Sequence, residues 1–542
     1  MADSPLRSGR RAARMAAMTQ PILVAGRWQA SRNAGTFQAE NPATGEKLPE
    51  FYPVSSWADC DAALTAAAEA RRELAPLPAE RLAAFLDDFA RRIEARGEEL
   101  VATAHAETAL PVSPRLSAAE LPRTAGQLRQ AAGAARDGSW ALPTIDSKAG
   151  IRSCLLPLGP VAVFGPNNFP FAFNSVAGGD FAAAIAAGNP VIAKANSSHP
   201  GTSRLLAEEA QAAAEAAGLP PGTVQMLYRT SHADGERLVA DPRLGATAYT
   251  GSRSAGLALK RAADAAGKPI YLELSSINPV VMLPAALERR GEQIAEEFTA
   301  SCLMGCGQFC TSPGLVLLLA GAAAEKFIAA TAGRFQAAPV GTLLSASVAR
   351  SLDESVRRLV EAGAELLAGG TAGGGRGHSF SNTLLRVGGR RFVEHAEALQ
   401  TEAFGNASLL VIVENADEAA AVLGQIEGNL TGTIYSVAGD DEALYARLEP
   451  LLRCRVGRLL NDKMPTGVAV SPAMNHGGPY PATGHPGFTA VGIPASLRRF
   501  GMLACYDNVR GDRLPPLLRD NNPSGAWRSI DGAWTQADMP PA

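Results

Sequence analysis

Three short apolar runs, Val161-Ala162-Val163-Phe164, Val191-Ile192-Ala193 and Val224-Gln225-Met226-Leu227, decide the fold of this chain. Alanine-rich stretches with helical spacing lie between them, near 177–187 and 203–217. Gly188-Asn189-Pro190 and Gly218-Leu219-Pro220-Pro221-Gly222 stop those helices. Strands that are apolar throughout and alternate with helices form a parallel sheet with helices on its faces. Open sheets of this kind take their ligands beyond the carboxyl ends of the strands. The residues that follow each run are therefore the first candidates for chemistry.

Gly165-Pro166-Asn167-Asn168-Phe169-Pro170 follows the first run, and Lys194 follows the second. A further run, Ala246-Thr247-Ala248-Tyr249-Thr250, leads into Gly251-Ser252-Arg253-Ser254-Ala255-Gly256. Glycines that open a helix let backbone N–H groups approach a pyrophosphate, and the helix dipole favours negative charge there. The usual Gly-x-Gly-x-x-Gly fingerprint does not follow these strands.

Downstream, Val280-Val281-Met282-Leu283, Leu315-Val316-Leu317-Leu318 and Leu409-Leu410-Val411-Ile412-Val413 predict a second, smaller α/β unit reaching to about residue 470. Inside it, residues 304–314 read Met-Gly-Cys-Gly-Gln-Phe-Cys-Thr-Ser-Pro-Gly. A nucleophilic cysteine works as the thiolate and needs small neighbours that admit a substrate; Gly305, Gly307 and Gly314 supply them around Cys310. Upstream of the first sheet, residues from Ser56 to about Gln130 carry the three- and four-residue apolar spacing of amphipathic helices. Residues 138–157 read as a hairpin that interrupts those helices, and the Gly-rich residues 367–378 as a surface turn.

A chain of 542 residues is too long for one core and implies two or three domains. The net charge of −3 argues against nucleic acid, and apart from the N-terminal tail no basic run is long enough to make a phosphate-binding footprint. No apolar run reaches the ~18 residues of a membrane span. Seven scattered cysteines suit free thiols in a reducing cytoplasm. Cys302, Cys306 and Cys310 recur every fourth residue, but no fourth Cys or neighbouring His completes a metal shell, and no metal is expected. Residues 1–17 are basic and Ala-rich without an apolar core, which predicts a disordered tail rather than a secretory signal.

Gly307-Gln308-Phe309-Cys310-Thr311-Ser312-Pro313-Gly314 resembles the nucleophile motif of the aldehyde dehydrogenase superfamily. Tyr271-Leu272-Glu273-Leu274-Ser275-Ser276-Ile277-Asn278-Pro279 resembles its general-base motif. The resemblance implies a Rossmann-type parallel-sheet cofactor domain (18–137 and 158–273), a smaller α/β catalytic domain (274–470) and an oligomerisation hairpin (138–157 with 490–512). A substrate-mouth loop (471–489) and a C-terminal tail (513–542) complete it. It makes Cys310 the nucleophile, Glu273 the base and Asn168 part of the oxyanion hole. It gives Lys194, Ser197, Gly251, Ser252, Gly256, Glu402 and Phe404 to the cofactor.

Members that prefer NAD carry a Glu where this chain has Ser197. A neutral hydroxyl beside Lys194 accepts a 2′-phosphate that a carboxylate would repel, so NADP is the expected cofactor and NAD the alternative. The segments Ala177-Gly178-Gly179-Asp180, His199-Pro200-Gly201-Thr202-Ser203, His476-Gly477-Gly478-Pro479-Tyr480-Pro481-Ala482-Thr483 and Asn522-Pro523-Ser524-Gly525-Ala526-Trp527 look most like the members acting on 2,5-dioxovalerate (α-ketoglutaric semialdehyde). For that substrate Arg123 is the expected partner of the distal carboxylate, with Phe169 lining the pocket. Oxidation of fatty, medium-chain or aromatic aldehydes is the alternative reaction, and a catalytically silent scaffold the alternative of another class. The resemblance further implies a cytoplasmic homodimer or homotetramer.

Overall fold

The computed structural model describes residues 19–32 and 34–539. The predicted tail, 1–17, lies outside the described residues. Three sheets organise the rest. The first has seven strands in the order Ile270–Glu273, Ala246–Thr250, Val161–Phe164, Val191–Lys194, Val224–Leu227, Ile22–Val24 and Arg27–Gln29. Its first five strands are parallel; Ile22–Val24 pairs antiparallel with Val224–Leu227, and Arg27–Gln29 antiparallel with Ile22–Val24. The chain runs outward from Val161–Phe164 in one direction and then restarts on that strand's other side at Ala246–Thr250. The loops after these neighbours diverge and leave a crevice at the reversal.

Burial explains the apolar runs: every residue of Val161–Phe164 and Val224–Leu227 is buried. The predicted amphipathic helices are Trp57–Leu74, Ala79–Ala95, Gly97–Thr108 and Leu121–Asp137. Phe85 and Phe89 of the second pack edge-on against Phe181 of Gly179–Ala186.

The second sheet also has seven strands, ordered Glu365–Ala368, Thr383–Gly388, Ala407–Val413, Leu315–Leu319, Val280–Met282, Asn429–Tyr435 and Val456–Asn461. All are parallel except the first. The chain passes from the first sheet to the second between Glu273 and Val280, so the candidate base stands at the crossing.

The predicted hairpin forms from Thr144–Asp146 and Ile151–Pro157 and pairs with Gly501–Asp507 along its outer strand. The stretch expected as a C-terminal tail behaves differently. Arg528–Ile530 and Ala533–Thr535 add two strands to the hairpin's other side and complete a five-stranded sheet. They are held by a fully buried Arg528, whose guanidinium donates to the carbonyls of Asp520 and Ala537 at 3.2 and 2.9 Å. Among the described residues, no helix is long and apolar enough to cross a membrane.

Candidate active site

Helix Pro284–Leu303 ends in a turn where Gly305, Cys306 and Gly307 all take left-handed backbone, with φ of 56°, 58° and 67°. Only glycine fits the last position, because a Cβ there would stand 2.0 Å from the Gly405 carbonyl oxygen. The turn delivers Cys310 to the loop that leads into the strand Leu315–Leu319. Asn278 fixes that loop: its Nδ2 donates to the carbonyls of Cys310 and Ser312, both at 2.9 Å. The Gly314 N–H donates to the Ile277 carbonyl at 2.9 Å. The segment after Glu273 and the loop bearing Cys310 are thus one hydrogen-bonded unit.

A third segment closes over both. Leu274 N–H donates to the Ala482 carbonyl at 2.8 Å and Gly484 N–H to the Leu272 carbonyl at 3.0 Å, which docks residues 476–490 on the edge strand Ile270–Glu273. This brings in His476, which is 1% exposed. Its Nε2 lies 3.3 Å from Cys310 Sγ and 3.0 Å from Glu273 Oε1. Glu273 is 2% exposed, and its other oxygen, Oε2, has no partner among the described residues. Burial, and then the charge of Glu273, raise the pKa of the Cys310 thiol well above the usual range.

Asn168 is buried on the loop after Val161–Phe164, and its Nδ2 donates to the Gln308 carbonyl at 3.0 Å. Phe169 belongs to an aromatic cluster, its ring centroid 5.1 Å from Phe173 and 5.5 Å from Phe309, the neighbour of Cys310. Arg123 points its guanidinium at this cluster, 5.2 Å from the Phe173 ring. Its Nε donates to Gln127, while a terminal nitrogen is buried with no partner among the described residues. Burial lowers its pKa, and it feels the charges of Glu120, Cys310 and Glu273.

Asn168, Gly251, Ser252, Glu273, Cys310, Glu402 and Phe404 line one cleft of about 480 Å³. Lys194, Ser197, Gly251 and Ser252 line the adjoining one at the crevice of the first sheet. Arg123 and Phe169 stand outside these two clefts, in the aromatic cluster behind Cys310. Gly256 sits in the first turn of helix Arg253–Ala265, where a Cβ would stand 2.4 Å from Leu274, so its smallness sets the helix against that segment. Ser252 caps that helix without a side-chain hydrogen bond to it, leaving first-turn N–H groups open to a ligand. Burial and the neighbouring Arg229 lower the pKa of Lys194 to about 8. Glu402 accepts from the Ser276 N–H at 3.3 Å, and burial raises its pKa to about 7.

Sequence reasoning passed over three of these residues. His476 stands in a segment quoted only for its resemblance. Asn278 lies in the base motif without an assigned task. Arg229 lines the crevice two residues after Leu227 with no motif around it. The four-residue recurrence of Cys302, Cys306 and Cys310 dissolves in three dimensions. Cys302 packs in the core beneath the second sheet, Cys306 packs against Leu343 and Leu352, and only Cys310 reaches the cleft.

Comparison with known proteins agrees with this geometry. The model of the aldehyde dehydrogenase family matches residues 28–467. Alpha-ketoglutaric semialdehyde dehydrogenase 2 of Azospirillum brasilense is 40% identical over 512 residues, covering 92% of this chain and 96% of that protein. Alpha-ketoglutaric semialdehyde dehydrogenase of Acinetobacter baylyi is 35% identical over 525 residues, covering 93% and 97%. Among solved structures, lactaldehyde dehydrogenase from Escherichia coli superposes with a TM-score of 0.78 at 22% identity, over 90% of this chain and 98% of that one. The chain belongs to the aldehyde dehydrogenase family.

Proposed function

We propose that this chain oxidises 2,5-dioxovalerate to 2-oxoglutarate with NADP through a covalent intermediate on Cys310. The observation that carries the reading is one thiol flanked by His476 and Glu273, lining a cleft with Asn168 and Glu402. The two alpha-ketoglutaric semialdehyde dehydrogenases, similar over nearly their whole length, supply the substrate.

The chemistry follows from what each group does. Cys310 begins as a neutral thiol. With its Nε2 bare, His476 accepts the thiol hydrogen, and the thiolate sulfur attacks the aldehyde carbon to form a C–S bond. The imidazolium then donates to Glu273 Oε1, so the proton stays inside the pair. An amide nitrogen carries two hydrogens, and Asn168 gives one to Gln308; the other, with the Cys310 N–H, holds the developing oxyanion. Bound NADP supplies the hydride acceptor. Glu273 then takes a proton from the water that hydrolyses the thioester, the acid leaves, and the imidazolium returns its proton to the departing thiolate.

The residues of the crevice suit that cofactor. The open first turn at Ser252 meets the pyrophosphate, and Glu402 and Phe404 stand at the cleft shared with Cys310. Lys194 and Arg229 bring two cations to the crevice against one acidic residue, Glu236, and Ser197 puts a hydroxyl rather than a carboxylate there, which favours a 2′-phosphate. Arg123, short of one hydrogen-bond partner and within electrostatic reach of Cys310, meets the distal carboxylate.

The test is NAD(P)H formation with 2,5-dioxovalerate, succinic semialdehyde, hexanal and benzaldehyde, each with NAD and NADP, for the wild type, Cys310→Ala and Arg123→Ala. The expected result is the highest kcat/KM for dioxovalerate with NADP and no turnover by Cys310→Ala. Arg123→Ala loses roughly 100-fold on the acidic aldehydes and much less on hexanal. A preference for hexanal or benzaldehyde overturns the substrate, and equal losses on acidic and neutral aldehydes overturn the role of Arg123.

A further inference from the structure

We propose that Cys310, His476 and Glu273 together bind a thiophilic divalent cation, Zn²⁺ in the first place, and that this ion blocks the nucleophile reversibly. The three residues each offer one ligand atom, and those atoms all lie within 4.8 Å of one another. Tetrahedral zinc with bonds of about 2.3 Å to sulfur and 2.0–2.1 Å to nitrogen or oxygen needs ligand atoms about 3.3–3.6 Å apart. The separations of 3.3 Å from Sγ to Nε2 and 3.0 Å from Nε2 to Oε1 are a few tenths of an ångström from that, within the reach of side-chain torsions.

Glu273 Oε2 is buried and unpartnered beside this cluster, an acceptor that a bidentate carboxylate ligand would use. Cys310 and Glu273 both line the cleft, which gives the ion its route of entry. The ligands arrive from the end of the first sheet, the loop into the second and the segment docked across them. The site therefore exists only in the folded chain.

A Cys, His and carboxylate set selects zinc and its soft neighbours over magnesium or calcium. Binding exchanges one bond for another. The Cys310 thiol releases its proton to solvent, a Zn–S bond forms, and no electrons are transferred. The sulfur lone pair and the Nε2 needed for attack are both engaged, so the ion and the aldehyde exclude each other.

The decisive experiment uses the chelator-washed full-length chain without cofactor or substrate, so its outcome is independent of which aldehyde is oxidised. Co²⁺ is titrated as the probe and followed by its visible bands and its thiolate charge-transfer band. The expected result is one tetrahedral Co²⁺ per chain, displaced by Zn²⁺ and not by Mg²⁺. His476→Gln should weaken binding by more than the roughly 10–100-fold that losing an outer-shell partner costs. Cys310→Ser should abolish the charge-transfer band, and a Cys454→Ser/Cys505→Ser chain should bind as the wild type does.

A second measurement needs no variant at all. In the wild type, Zn²⁺ should protect Cys310 from iodoacetamide while the exposed Cys454 still reacts, and a chelator should restore the reactivity. Charge-transfer bands that survive in Cys310→Ser, or alkylation of Cys310 at the same rate with and without Zn²⁺, overturn the proposal.

Discussion

His476 shows how much one side chain alters the chemistry around it. A thiol buried beside a carboxylate is a poor nucleophile, because both desolvation and the negative charge of Glu273 disfavour the thiolate. The pKa of Cys310 is raised, so at neutral pH the thiol holds its proton, and attack requires an acceptor within hydrogen-bond reach. His476 is that acceptor, at 3.3 Å. In His476→Gln the thiolate must form by losing its proton to solvent. The iodoacetamide reactivity of Cys310 should then rise only at higher pH than in the wild type, and kcat at pH 7 should fall by about 10²–10⁴-fold. Stopped alkylation time courses across pH, read by mass spectrometry of the Cys310 peptide, check the first statement, and steady-state kinetics the second. An unchanged alkylation profile would leave His476 with a packing role alone.

At the scale of elements, the site depends on two irregular segments held by side-chain amides rather than by sheet ladders. Asn278 has a left-handed backbone, φ 47°, and its amide serves the carbonyls of both Cys310 and Ser312. Asn278→Gly keeps the backbone conformation and removes only the amide. It should cost about 2–4 kcal/mol in chemical denaturation, because the carbonyls of Ser276, Cys310 and Ser312 lose a shared donor and the Ser276 and Thr431 hydroxyls lose an acceptor. It should also lower kcat while leaving the cofactor KM near the wild-type value. A variant equal to the wild type in both would show that the loop holds itself.

This dependence also separates what is legible in the sequence from what is not. The strands Val161–Phe164, Val191–Lys194 and Val224–Leu227 announce themselves because a strand buried on both faces is apolar nearly throughout. The exceptions are the terminal Lys194 and Gln225, whose amide is hydrogen-bonded to the Ala63 carbonyl and the Ala25 N–H. Cys310 and Glu273 are legible as motifs, since each stands among near neighbours that its chemistry requires. His476 is not, because its partners lie 166 and 203 residues away in sequence and its loop carries no periodic pattern. Arg528–Ile530 and Ala533–Thr535 escape for a related reason: three residues are too few to show alternation, and their place in a sheet is fixed by a hairpin at the other end of the chain.

For the whole molecule, the five-stranded sheet is the feature that a single chain leaves unfinished. Its outermost strand, Gly501–Asp507, pairs with Ile151–Pro157 on one side and with no other strand among the described residues on the other. On that strand Leu503 is 70% exposed and Met502 47%, and at the opposite edge Trp534 is 56% exposed. An open seven-residue edge carrying large apolar side chains is a template for further pairing. A second copy of this chain is the occupant we propose, since the same edge on two copies is self-complementary about a two-fold axis. Burying each Leu503 contributes roughly 1.5–3 kcal/mol, twice per dimer. Replacing it by Asp sets two carboxylates facing each other at the axis. Light scattering after size exclusion should find the wild type as a dimer or a dimer of dimers and Leu503→Asp as a monomer, with the far-ultraviolet circular dichroism of the two alike. Assembly unchanged by Leu503→Asp would move the contact to another face. A monomeric wild type would leave the edge open in solution and remove the homo-oligomer from the account.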